Sequence, residues 1–131
     1  ERFQHSGETI SRNFKKILEK ICLIAIDIMK PLDPYFKDIH EKIVNSKYMA
    51  HFKNSICVVD GVHVTASLPY EQQVPYIGRK GIPTQNIMAV CDFDMQFTFV
   101  YAGWQGTAHD TWIFYSTLRN LELNFPKPLE G

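Results

Sequence analysis

The chain has 131 residues, of which 45% are apolar, 13% aromatic and 21% charged. This is an ordinary globular mixture that excludes intrinsic disorder and amounts to one domain or a piece of one. Fourteen Lys/Arg balance fourteen Asp/Glu, so net charge alone carries no nucleic-acid signature. The longest apolar run, Ile21 to Met29, is interrupted by Asp27 and falls far short of the roughly 20 residues a bilayer requires.

The charge is unevenly spread. Residues 1–54 hold ten Lys/Arg against seven Asp/Glu, and residues 55–131 hold four against seven. A basic front half and an acidic rear half give either a solvated scatter of charge or a division of labour. The three cysteines, Cys22, Cys57 and Cys91, form no C-x-x-C pair and sit in apolar settings, the pattern of reduced, buried thiols in a cytosolic or nuclear protein. No secretory signal opens the chain, which starts at Glu1 and stops after a Pro-rich stretch, as an internal piece of a longer protein would.

In chain order, Ile10, Phe14, Ile17, Leu18, Ile21, Cys22, Ala25 and Ile28 recur every three or four residues and predict a packed amphipathic helix. Ser6 or Gly7 starts it and Pro31 stops it. Asp38 to Asn45 is predicted as a second, short helix. From Ser55 the texture changes. Ile56 to Val59 is a β-favouring run apolar on both faces, predicting a central strand that ends at Asp60 as Gly61 turns the backbone away. Residues 66–85 contain three prolines and two glycines and are predicted to be mostly loop. Asn86–Cys91 and Gln96–Ala102 form a predicted hairpin around Asp92–Met95, with Phe97, Phe99 and Tyr101 on one face. Gly103 to Gly106 breaks the strand, and Thr107 opens a helix through Trp112, Phe114 and Leu118.

Several residues in this frame carry chemistry. A carboxylate at the end of a central strand, as expected for Asp60, points into the cleft where open α/β sheets place ligands, and hard oxygens of that kind suit Mg²⁺. The alternative is an Asp that only caps the strand end. Asp110 falls at N3 of a T-x-x-D capping box begun by Thr107, or serves as a second metal ligand, and the two roles are compatible. Asp92 and Asp94 form a D-x-D that suits a turn better than a metal site. His63 and His109 lack partners at zinc-ligand spacing. Arg79-Lys80-Gly81 puts two cations beside a flexible backbone, fit for phosphate contact or for a solvated loop tip. Thr9, Ser11 and Arg12, in the first turns of the first helix, resemble the exposed face of a helix-turn-helix recognition helix. The aromatics from Phe93 to Tyr115 are expected chiefly to pack the core, with base stacking as the lesser alternative.

Five stretches together are more specific than any one. Arg2-Phe3-Gln4-His5-Ser6-Gly7-Glu8-Thr9-Ile10-Ser11-Arg12, Val58-Val59-Asp60-Gly61-Val62-His63, Arg79-Lys80-Gly81, Ala89-Val90-Cys91-Asp92 and Gly103-Trp104-Gln105-Gly106-Thr107-Ala108-His109-Asp110 resemble, in that order, the PIF/Harbinger transposases and the Harbinger transposase-derived nucleases. The resemblance implies an α/β (α+β) fold: a helical, helix-turn-helix-like DNA-binding region, here residues 1–54, before the first part of an RNase H-like DDE nuclease domain, here 55–131. It implies a divalent metal, Mg²⁺ or Mn²⁺, bound by Asp60 and Asp110 as catalytic residues, DNA as substrate, a nuclear location and a Myb/SANT-like partner protein. The remaining acidic residue is expected beyond Gly131, so the chain alone is expected to bind DNA weakly and not to cut it. The alternative from another class is a domesticated, non-catalytic module that binds DNA or chromatin proteins. Loss of acidic residues would mark that module, and Asp60 is retained.

Overall fold

A computed structural model describes residues 5–127. It has mixed α/β architecture built on a three-stranded antiparallel sheet. Helix α1 spans Gly7–Ile28, and short helices α2 and α3 span Glu41–Val44 and Met49–Phe52. Strands β1 (Val58–Thr65), β2 (Thr84–Cys91) and β3 (Phe97–Gln105) follow, and helix α4 (Asp110–Arg119) closes the described fold.

Ser6 caps α1 as expected, its Oγ accepting the Thr9 amide at 3.3 Å. The helix ends at Ile28, just before Pro31. Its apolar stripe, expected to pack, has no buried residue, and Ile10, Phe14, Ile17 and Ile21 are all more than half exposed. The second predicted helix shrinks to the four residues of α2, and α3 adds a further turn before the sheet.

The sheet order is β1-β2-β3, so β2 is the middle strand and β1 an outer one. Among the described strands, this differs from the expectation that the Asp60 strand is central. Nor does the strand end at Asp60: it runs on through Gly61 to Thr65, because Val62, Val64 and Thr65 have the branched side chains that favour extended backbone. β3 likewise continues past Gly103 to Gln105, absorbing an irregularity in register between Asn86 and Met88. A second register shift, between Val90 and Cys91, separates Phe97 from Phe99 and leaves Phe97 largely exposed.

One face of β2 makes the core. Thr84, Asn86, Met88 and Val90 are buried and alternate with half-buried residues, the period of two that a strand requires. Ile113 and Thr117 of α4 are fully buried with them, and Phe99, Phe114 and Phe125 pack edge to face on the same side. The opposite face leaves Val58, Val62, Val64 and Val100 exposed. Of the cysteines expected to be buried, Cys22 is exposed while Cys57 and Cys91 are half-buried; all three are free, and burial pushes the Cys57 thiol up.

The D-x-D serves the hairpin turn. Asp92 Oδ1 accepts the Asp94 and Gln96 amides, both at 2.9 Å. Asp94 pairs with Lys42 at 2.8 Å and His40 at 3.2 Å, tying α2 to the turn. Lys42 and then His40 hold the Asp94 carboxyl below its ordinary value. A depressed carboxylate stabilises the fold above its ordinary titration range, and that contribution fades as pH falls through the lowered value. Asp94→Asn is therefore expected to flatten the acid limb of the stability profile, as read by thermal melts between neutral pH and pH ~3. An unchanged acid limb would show that the contact carries no stability.

Candidate metal centre

The site is built around Gly61. Side chains alternate along β1, so Gly61 faces α4 with His63, while Asp60 leaves from the other face beside Ala89. The Asp60 carboxylate bends back along the strand, and its Oδ1 accepts the Gly61 amide at 2.8 Å. From the other side, Asp110 brings its carboxylate directly over the Gly61 α-carbon, where any β-carbon would overlap it. These contacts and standard backbone dimensions put the nearest oxygens of Asp60 and Asp110 no more than about 8 Å apart. No further described strand covers the free edge of β1 beside them. Asp60 is exposed and, among the described residues, joins no ion pair.

Asp110 is held in place from the middle strand. Asn86, fully buried, donates through Nδ2 to Asp110 Oδ1 at 2.6 Å and to the Ala108 carbonyl at 3.1 Å. One side-chain amide thus fixes both the carboxylate and the backbone leading into α4. Asn86 Oδ1 is buried without a partner among the described residues, a cost that marks the position as unusual. The other oxygen of each carboxylate has no protein donor among the described residues, which leaves both free to meet a ligand.

The start of α4 differs from the capping box expected. The helix begins at Asp110 with His109 in the capping position, and His109 makes no side-chain cap. Thr107 instead donates from Oγ1 to the Pro75 carbonyl at 2.9 Å, which pins the loop before α4 to the 66–85 segment. Gly106 makes this possible: a β-carbon there would run into Thr84 and the Tyr76 carbonyl. Asp110 does stand in the first turn, where a negative charge suits the helix N-terminus.

An open cleft of about 510 Å³ lies in front of Asp110, and its walls include His63, Arg79, Lys80, Thr84 and His109. The fold therefore gathers Asp110 and the two loop cations at one opening, with the two histidines that spacing had set aside. His63 Nδ1 lies 3.3 Å from Thr84 Oγ1. Asp60 does not line this cleft; its side chain leaves from the opposite face of β1. Among the described residues no group of three or more His, Cys, Asp or Glu is arranged to hold a metal. Thr9, Ser11 and Arg12 lie in the first turns of α1, away from this cleft, and the Thr9 hydroxyl is engaged with Ser6 Oγ at 2.9 Å.

Asn86 was not singled out from sequence. Its signal is the composition of its strand: in Thr84-Gln85-Asn86-Ile87-Met88 an Asn occupies an inward position of a middle strand, where it is rare unless a polar group needs it.

No curated protein and no solved structure matches the chain. A family model described as DDE superfamily endonuclease matches residues 59–127, a span that takes in Asp60, the Arg79-Lys80 loop, Asn86 and Asp110. Domains of this family generally use divalent metals. Because the match covers more than half of the sequence, the chain belongs to the DDE superfamily endonucleases.

Proposed function

We propose that the chain forms the metal-holding front of a transposase-derived DNA endonuclease of the PIF/Harbinger kind. The observation that carries this reading is that Asp60 and Asp110 both bear on Gly61, which leaves no room for a side chain beside the Asp110 carboxylate, with their nearest oxygens within about 8 Å. The donor set suits Mg²⁺ or Mn²⁺: hard carboxylate oxygens, two residues, and open space for water and phosphate to complete the shell. Asp60 and Asp110 would hold the ion, which in this chemistry activates the attacking water and stabilises the leaving oxygen.

The chain's own residues do the positioning. Asn86 keeps Asp110 Oδ1 engaged and so directs the other oxygen outward. Arg79 and Lys80, exposed at the mouth of the cleft, hold the DNA phosphates by charge. Ser11 and Arg12, exposed on α1, extend the contact to the duplex in the manner of a recognition helix, with Thr9 setting the helix start. The nuclear location and a Myb/SANT-like partner belong to the same proposal and follow from the Harbinger resemblance.

DNA binding tests the cationic half of this reading. Each phosphate contact removed should lower the slope of log affinity against log salt by about one unit. Arg79→Ala and Lys80→Ala are each expected to weaken duplex binding and flatten that slope, as read by fluorescence anisotropy across a salt series. Binding that ignores both substitutions would remove this loop from the interface. Metal-dependent nicking of plasmid DNA, lost in Asp60→Asn, would show that the chain holds a complete catalytic set. Salt-dependent binding that needs neither Asp60 nor Asp110 nor metal would favour the non-catalytic module.

A further inference from the structure

Two large aromatics that the fold does not use stand on the outer side of α4. Trp112 is 68% exposed and Tyr115 is 53% exposed, although the neighbouring Ile113 and Phe114 serve the core. Exposed tryptophan of this size needs a reason, because its large apolar surface is normally covered. Trp104, at the end of β3, stands beside them with Tyr101 edge-on at 5.9 Å.

The surface around these rings forms hollows that adjoin the Asp110 cleft. The Thr107-Ala108-His109 wall of that cleft is also a wall of a second hollow, which runs under Trp104 and Trp112. Those two tryptophans in turn wall a third hollow, which passes Tyr115 and ends at Arg119 and Asn120. The Arg79/Lys80 mouth, Asp110, a row of rings and a guanidinium therefore lie along three adjoining hollows. No aliphatic side chain larger than alanine lines the second or third hollow. The lining is rings, small residues and groups such as Gln105, Ser116 and Asn120 that can form hydrogen bonds.

We propose that the Trp104–Trp112–Tyr115 groove binds single-stranded nucleic acid by stacking unpaired bases, as the continuation of the Asp110 cleft. Flat rings flanked by cations are what sequence-tolerant single-strand binding requires, since every base offers a π face and every phosphate a charge. The placement of the strand's far end rests on the nuclease reading above. The stacking does not.

Tryptophan emission reports the event directly, because both of the chain's tryptophans line the groove. The whole chain is titrated with oligo(dT) of about twelve nucleotides and with a blunt duplex of the same length. Oligo(dT) is expected to quench the emission and the duplex to leave it nearly unchanged. Trp112→Ala is expected to weaken oligo(dT) binding at least about fivefold, the lower end for one lost base stack, while Trp112→Phe retains most of it. As Trp112 stands outside the core, the melting temperature should not move in either variant. Equal quenching by duplex, or unchanged oligo(dT) affinity in Trp112→Ala, overturns the proposal. The absence of any response to oligo(dT) also overturns it and leaves the aromatic face to a protein partner. A Mn²⁺ titration without nucleic acid reads the Asp60/Asp110 pair separately, so either proposal can fail while the other stands.

Discussion

Gly61→Ala is expected to displace the Asp110 carboxylate and to cost the protein about 1–3 kcal/mol, the usual penalty for forcing one extra carbon into a filled space. The added methyl would occupy the volume Asp110 now fills. Neither side can yield easily: Gly61 is held by strand pairing to Met88, and Asp110 by Asn86 and the start of α4. Alanine normally suits a strand at least as well as glycine, so an exposed Gly→Ala change would be neutral or stabilising. A destabilised Gly61→Ala by urea unfolding, with metal affinity lost as well, is the expected result. A neutral substitution would mean that Asp110 does not rest on Gly61.

Asn86→Ala should have the larger effect on stability, about 2–4 kcal/mol. It removes a hydrogen bond to a charged group and a second one to the Ala108 carbonyl, and it opens a hole in the fully buried middle of the sheet. The loss should appear as a lower urea midpoint at unchanged slope, since the surface exposed on unfolding stays the same. Asn86→Asp tests the electrostatics at nearly constant volume. It sets a second carboxylate against Asp110 and is expected to be at least as destabilising as Asn86→Ala when metal is absent. Its stability should recover in part on adding Mn²⁺, because a cation between two carboxylates relieves their repulsion.

The sheet was legible in the sequence because β-branched, aromatic and apolar residues cluster at Val58–Val59, at Val62 and Val64, at Ile87–Cys91 and at Phe97–Ala102. The site was legible only in part. Asp60, Arg79 and Lys80 stand out as charges beside glycines and Asp110 as the acid of a T-x-x-D, and the fold brings Asp110 and the two cations to one cleft while Asp60 leaves from the other face of β1. What sequence could not reveal is the direction of approach. Gly61 read as a place for the chain to turn, since glycine punctuates loops far more often than strands. Its actual reason is a long-range steric one, a carboxylate 49 residues further along the chain resting on its α-carbon. Thr107 illustrates the same limit: a good capping residue at good spacing is drawn off by the Pro75 carbonyl, and α4 starts three residues later. Strand order is likewise invisible to local patterning, which is why β1, expected at the centre, stands at the edge of the described strands.

A Mn²⁺ titration of the chain, followed by electron paramagnetic resonance of the free ion, bears most directly on the Asp60/Asp110 centre. Asp60→Asn and Asp110→Asn keep shape while removing charge, and Arg79→Ala serves as the control that touches neither carboxylate. Saturable binding in the parent chain is expected, weakened by about tenfold or more in each Asn variant, since even residues that merely support a metal ligand cost that much. Binding that is absent from the parent chain, or that survives unchanged in both Asn variants, would contradict a metal centre at Gly61.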